Sequence, residues 1–134
     1  MFTQHNDGAA AYQSVSAQSS IENADQHKLV EMLYSGAISR INIAKSHMEM
    51  GNVSNKGKTI SDVIAIVEEL RRTLNMEKGG ELAANLHDLY EYMKSRLLQA
   101  NLKDDADILE EIKGLLEKLL DGWQGIPEEA RKGF

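Results

Sequence analysis

Apolar residues recur along most of this chain at the three- and four-residue spacing that is typical of amphipathic α-helices. Asp25 is a good helix N-cap, so the first helix is expected to begin beside it. The pattern predicts four helices, over about Gln26–Met50, Asn55–Leu74, Glu81–Asn101 and from Asp104 or Asp105 to Trp123.

The predicted helices are separated by short breaks, at Gly51-Asn52 and at Lys78-Gly79-Gly80. Because such short connections place sequential helices side by side, we expect an all-α fold, an antiparallel up-down four-helix bundle. The predicted organisation is a flexible N-terminal arm over 1–24, the bundle over 25–126 and a C-terminal tail over 127–134. Pro127 can open one short final helix in that tail.

The apolar stripes of these helices are wide. On a wheel of 100° per residue, the stripe of the second helix spans roughly 160° and that of the fourth roughly 140°. A helix on the outside of a small bundle needs only about 100°. Two interpretations remain open: one helix is central and enclosed by the other three, or part of the surplus forms an exposed groove for a partner helix.

Composition narrows the function. The chain has 134 residues, enough for one domain, and 42% of them are apolar. It has no cysteine, which excludes disulfides, thiol catalysis and thiolate metal sites. A net charge of −6 argues against a nucleic-acid partner. No continuous apolar run is long enough for membrane insertion, and no signal peptide is visible, so a cytoplasmic location is expected.

Candidate catalytic and metal sites are absent from the sequence pattern. The stretch Lys56-Gly57-Lys58-Thr59 resembles a phosphate loop only superficially, because the upstream glycine and the preceding strand are missing, and we expect a solvated first turn of helix two. No histidine has a glutamate three residues before it, as di-iron bundles require, and His27 is expected to be solvated. We therefore expect no enzyme activity, no metal and no cofactor.

Four stretches at matching spacing resemble the flagellin-specific export chaperones of the FliS family. Tyr12 and Trp123 also match that family's pattern. One departure is visible, because the family usually has Ser-Pro where this chain has Asp25-Gln26. The stretches that carry the resemblance are Asn23–Ala37, Glu77–Leu86, Leu89–Met93 and Arg96–Leu102.

The resemblance implies a function. Such chaperones bind the C-terminal segment of newly made flagellin in the cytoplasm, prevent its premature polymerisation and help to deliver it to the flagellar type III export apparatus. Members of the family use no nucleotide and no metal. The resemblance also admits export-gate components and flagellar regulatory proteins as partners, although no residue here singles one out.

The expected partner-binding residues lie on helices two and three and in the arm. Tyr12 either makes a minor packing contact on the bundle or, as the family suggests, covers part of the client groove. For the helical candidates, ordinary core packing is the alternative. They are Ile60, Ile64, Val67, Leu86, Tyr90, Met93 and Leu97.

The main rival function is a self-assembling helical scaffold or adaptor without a flagellin client. In that case the surplus apolar face would pack on another copy of the chain, as in a homodimer. A four-helix enzyme or metal protein is a weaker rival, because the required ligands are missing.

Overall fold

The computed structural model describes residues 19–127, with side chains from residue 25 onward. These residues form no strand, which confirms the all-α helical bundle. Tyr12 and the tail beyond Pro127 lie outside the described residues. The four helices are α1 (Ser19–Met50), α2 (Val53–Arg72), α3 (Met76–Lys103) and α4 (Ala106–Gln124).

The predicted start of the first helix is wrong. α1 already includes Ser19, and Asp25 lies inside the helix instead of capping it. The stretch from Ser19 to Asp25 contains neither proline nor glycine, and Gln26 has the backbone N–H that a proline would lack. The helical hydrogen-bond ladder can therefore continue through this region, and the boundary at residue 24 does not coincide with a helix start.

The turns follow the predicted breaks. Gly51 ends α1 with a φ of 73°, and Gly80 interrupts α3 with a φ of 52° and a ψ of −130°, conformations that favour glycine. The regular part of α3 therefore begins at Glu81, as predicted. Between α3 and α4, the Asp105 carboxylate accepts hydrogen bonds from the backbone N–H groups two and three residues later, at 3.0 and 3.4 Å.

The helices pack as a ring in which each one contacts the next and α4 returns to α1. Lys45 near the end of α1 pairs with Glu110 near the start of α4. His27 in the first half of α1 contacts Trp123 at the end of α4. These two contacts show that α1 and α4 are antiparallel.

The core draws on all four helices. Tyr34 of α1 and Tyr90 of α3 meet across the ring, with their hydroxyl oxygens 2.5 Å apart. Every helix also has an exposed side, so among the described residues the interpretation with one enclosed helix is wrong. The other largest buried side chains are Leu33, Ile41, Ile60, Leu70, Met93, Leu97, Leu109, Ile112, Leu116, Val63 and Val67.

A reciprocal contact closes one end of the ring. The rings of His27 and Trp123 stack with centroids 4.8 Å apart. The Trp123 indole N–H donates to the His27 carbonyl oxygen at 2.9 Å, and His27 Nε2–H donates to the Trp123 carbonyl oxygen at 3.0 Å. Because a carbonyl only accepts, the second bond requires a proton on Nε2. His27 is therefore buried, and the expectation that it is solvated is wrong.

Candidate partner-binding surfaces

Most of the predicted partner-binding residues lie in the core. Ile60, Val67, Tyr90, Met93 and Leu97 are all at most 2% exposed. They pack among one another and among the other core residues, so their side chains offer no surface to a partner in this conformation. Their contact with a partner stays a prediction.

Two predicted residues do reach the surface. Ile64 of α2 and Leu86 of α3 are half-buried and pack against the edge of the core. Ile64 lies at the seam between α2 and α3, and Leu86 lies near the start of α3. They mark two separate apolar surfaces, one on each side of α3.

The first surface, the α2–α3 patch, comprises Gly57, Ser61 and Ile64 of α2 with Leu98 and Leu102 of α3. Leu98 and Leu102 are 55% and 82% exposed, and they lie one turn apart on the same side of α3. These two leucines place apolar surface in water beside a row of small residues. The patch therefore has the apolar character that a partner can cover.

Small side chains on α2 allow α2 and α3 to approach closely at this patch. A Cβ atom placed on Gly57 would lie 3.8 Å from the Asn101 side chain of α3, so the two helices approach closely here. Ser61 and Ala65 continue the row at intervals of four residues and are exposed. The row of small residues on α2 therefore lies beside the exposed Leu98 of α3.

A charged cluster borders the α2–α3 patch. Glu68 of α2 accepts hydrogen bonds from the Arg71 guanidinium at 2.6 and 3.0 Å and from Lys94 Nζ of α3 at 2.7 Å. Lys94 also pairs with Glu91 at 2.8 Å. The hydrogen bonds from Arg71 and Lys94 lower the pKa of Glu68 to about 2. The cluster gives the apolar patch a polar rim that joins the two helices.

Lys56 links the start of α2 to the end of α3. Its ammonium group donates to the Asn101 carbonyl oxygen at 3.1 Å and pairs with Asp104, where α3 ends. Lys56 is only 4% exposed, so the prediction of a solvated turn is wrong for this residue. A cation at the C-terminal end of a helix is favourable, and this one fixes α2 against α3.

The second surface, the α3–α4 patch, lies on the opposite side of α3. Leu82 and Tyr92 are 48% and 44% exposed, and the other members are half-buried. The Tyr92 hydroxyl donates to Glu111 of α4, which raises the pKa of Tyr92 and lowers that of Glu111. The patch is formed by Leu82, Leu86, Leu89, Tyr92, Leu115 and Leu119.

The predicted set omits the most exposed members of both patches. Leu98 and Leu102 are spaced four residues apart on the polar side of α3, and this spacing is the signal that could have identified them. Leu82 and Leu89 belong to the broad apolar stripe of α3, where the pattern does not distinguish a core position from a seam.

The described residues give no indication of a metal site or a membrane-spanning helix. Within 25–127, no group of three or more His, Asp or Glu side chains is arranged to hold a metal ion. Among the described helices, none has both the length and the apolar character needed to cross a membrane.

Comparison with known proteins decides the family. The sequence model of flagellar protein FliS matches residues 8–130. The chain belongs to the FliS family. This membership confirms the resemblance carried by the four sequence stretches, and it identifies the chain as a member of a chaperone family, not an enzyme.

Several curated FliS relatives are similar over most of their length. The flagellar secretion chaperone FliS of Salmonella typhimurium is 44% identical over 124 residues, which is 92% of each chain. The flagellar secretion chaperone FliSB of Pseudomonas aeruginosa is 41% identical over 86% of this chain and 91% of its own. FliS of Bacillus subtilis is 34% identical over 86% and 85%.

Proposed function

We propose that this chain is a cytoplasmic export chaperone that binds the C-terminal segment of flagellin. Binding prevents premature polymerisation of the subunit and assists its delivery to the flagellar type III export apparatus. The observation that carries the proposal is the exposed apolar surface on both sides of α3, in a chain whose relatives are named flagellar secretion chaperones.

The two patches suit a client that forms helices when bound. An amphipathic helix places an apolar residue every three or four positions, which matches the one-turn spacing of Leu98 and Leu102. A segment that folds on binding can cover both sides of α3 and still be released, because ordering it costs part of the interaction free energy.

The N-terminal arm can reach one of these surfaces. Because α1 is antiparallel to α2 and α2 to α3, the first residues of α1 and α3 lie at the same end of the bundle. Six residues separate Tyr12 from Ser19, and the seven residue steps between them span about 23 Å when the chain is extended. We therefore assign to Tyr12 a place on the α3–α4 patch that the client later occupies.

Charge substitutions on the patches test the proposal. We expect Leu98→Glu and Leu82→Glu each to weaken binding of a flagellin C-terminal segment at least about tenfold, because each buries a carboxylate against an apolar client. Met50→Glu is the matched control, since Met50 is 62% exposed and belongs to α1, which contributes to neither patch. Isothermal titration calorimetry measures the affinity, and circular dichroism checks that each variant keeps its helices.

Equal affinity of the wild-type chain and both patch variants would contradict this placement of the site. Deleting residues 1–18 tests the arm separately: we expect an intact bundle and a tighter complex, because Tyr12 no longer competes. An unchanged affinity after the deletion would show that Tyr12 does not cover the client site.

The rival scaffold function predicts a stable oligomer that does not bind the flagellin segment. Sedimentation with and without that segment distinguishes the two functions.

A further inference from the structure

A groove of about 520 Å³ lies between α1 and α4. Two half-buried apolar side chains, Ile38 of α1 and Leu120 of α4, form its base and pack against the core. The other lining side chains are polar and exposed. They are Ser35, Ser39 and Asn42 of α1 and Glu117, Asp121 and Gln124 of α4.

Two carboxylates give this groove a negative charge. Glu117 and Asp121 lie one turn apart on α4, and neither side chain has a hydrogen bond or an ion pair with another residue of 25–127. By contrast, Glu110 and Glu111 near the start of α4 are each paired with a cation of a neighbouring helix. Like charges one turn apart repel each other, so a cation placed between Glu117 and Asp121 is stabilised.

A cation lies at the end of the groove where α4 ends. Lys28 is seven residues, about two turns, before Ser35, so both residues lie on the same side of α1. The contact between His27 and Trp123 places Lys28 beside the last residues of α4. Its side chain is 68% exposed and approaches Glu31 only to 3.5 Å. From the end of α4 inward, the groove therefore presents a positive charge and then two negative ones.

The C-terminal tail, residues 128–134, has the complementary order of charges. Two glutamates come first, two cations follow, and an aromatic residue comes last. When the chain reverses at the end of α4, this order places the glutamates beside Lys28, the cations beside the groove carboxylates and the aromatic ring near the apolar base. The five residues are Glu128, Glu129, Arg131, Lys132 and Phe134.

The tail is long enough to reach the carboxylates. Glu117 lies seven residues before Gln124, the last residue of α4, which is a distance of about 10.5 Å along the helix. The seven residues after Pro127 span up to about 23 Å when extended. Gly125 and Pro127 favour a reversal of the chain here, because both are poor helix formers. The tail can therefore pass both carboxylates before it ends at the apolar base.

We propose that the C-terminal tail folds back and occupies the groove between α1 and α4 of its own chain. Arg131 and Lys132 pair with Asp121 and Glu117, and Phe134 covers the apolar base. Exposed ion pairs are weak individually, but a segment of the same chain is present at a high effective concentration, so a few weak contacts suffice. While the tail is bound, the groove is closed to any other basic segment.

The occupied groove leaves the proposed client surfaces free. Leu119 of the α3–α4 patch lies about 200° around α4 from Glu117, so the patch and the groove are on opposite sides of that helix. The inference therefore does not depend on which client the patches bind. Flagellin affinity is expected to stay unchanged in all of the variants below.

Cysteine pairing within the full chain tests the proposal, because the chain has no cysteine of its own. Ser35→Cys combined with Gly133→Cys places one thiol in the groove and the other in the tail. Asp88→Cys combined with Gly133→Cys is the matched control, since Asp88 is exposed on α3, one turn before Tyr92, which contacts the other side of α4. We expect the groove variant to form its intramolecular disulfide at least about tenfold faster than the control in a glutathione redox buffer.

Mass spectrometry of the unreduced chains at low micromolar concentration measures these rates, and circular dichroism checks that both variants keep their helices. Equal rates in the two variants overturn the proposal. A disulfide that joins two chains instead of closing within one also overturns it, because the groove is then occupied by the tail of a second copy.

A charge exchange in the same two-cysteine chain tests the pairing. We expect Arg131→Glu with Lys132→Glu to slow disulfide formation about tenfold, because the tail is then repelled by the groove. Adding Glu117→Lys and Asp121→Lys is expected to restore the rate to within about twofold, because both pairs are re-formed with reversed sign. Salt at about 1 M is expected to slow the original chain, since exposed pairs are then screened. A reversed chain as slow as the repelled one, or a rate independent of salt, overturns the charge pairing.

Discussion

The hydroxyl pair at the centre of the ring yields a quantitative prediction. Tyr34 and Tyr90 are 3% and 2% exposed, and among the described residues each hydroxyl has the other as its hydrogen-bond partner. Replacing either tyrosine by phenylalanine leaves the remaining hydroxyl buried without that partner, which costs about 1–3 kcal/mol. The double variant removes both hydroxyls and keeps both rings, so its stability is expected to lie within about 1 kcal/mol of the wild type.

Urea unfolding followed by circular dichroism measures this double-mutant cycle. The expected signature is a double variant more stable than either single variant, with a coupling free energy of at least about 1 kcal/mol. Additive losses, with the double variant least stable, would refute the reasoning. Such a result would mean that each hydroxyl is satisfied independently of the other.

The same pair predicts a loss of stability in alkali. Burial raises the pKa of Tyr34 and of Tyr90 above the ordinary value of 10.0, so both stay neutral in the folded chain when unfolded tyrosines ionise. Above about pH 10 these two tyrosines lose their protons only in the unfolded state, which lowers the free energy of that state. The free energy of unfolding therefore falls as the pH rises above about 10. The double phenylalanine variant is expected to lose less stability over that interval, and an identical loss would contradict the assignment.

Further predictions concern a strained turn, a helix interior and an acid-sensitive pair. Gly80→Ala is expected to lose about 1–2 kcal/mol in urea unfolding, because its φ of 52° with ψ of −130° suits glycine alone. Gly114→Ala in α4 is expected to gain about 0.5–1 kcal/mol, because a Cβ meets nothing within 4 Å there. The pKa of Glu68 is lowered to about 2, so the ionised carboxylate contributes to the free energy of unfolding above about pH 4.5, and this contribution is lost as the pH falls towards 2. Glu68→Gln is therefore expected to make the free energy of unfolding less dependent on pH over that interval. Loss of stability in Gly114→Ala, no loss in Gly80→Ala, or unchanged acid sensitivity in Glu68→Gln would contradict the respective assignment.

Local signals in the sequence predict much of the fold. Asp105 has a side chain that caps its own helix, and Gly80 adopts a backbone conformation that other residues avoid, so both features follow from the residue itself. The start of α1 is different, because nothing near Asp25 prevents the helix from extending further. A good cap residue marks a helix start only when the preceding residues favour another conformation.

The division between core and surface depends on residues distant in sequence. Ile64 and Val67 lie in the same apolar stripe of α2, yet Val67 is fully buried and Ile64 is at the seam with α3. Periodicity gives the direction of a side chain but not the position of the neighbouring helix. Lys56 is buried for a similar reason, since its partner Asp104 is 48 residues away in sequence. The sequence therefore restricts the partner-binding candidates to the apolar stripe of each helix. Only the packing of the helices distinguishes the surface residues of that stripe from its core residues.

Calorimetric titration of the full chain with the C-terminal segment of flagellin tests the proposed function most directly. We predict saturable binding of one segment per chain, with a negative heat-capacity change from burial of the apolar patches and a gain of helical circular dichroism as the segment folds. Loss of this binding in Leu98→Glu with retained helicity would place the client on the α2–α3 patch. Absence of binding by the folded wild-type chain would contradict the proposal that it is a flagellin chaperone.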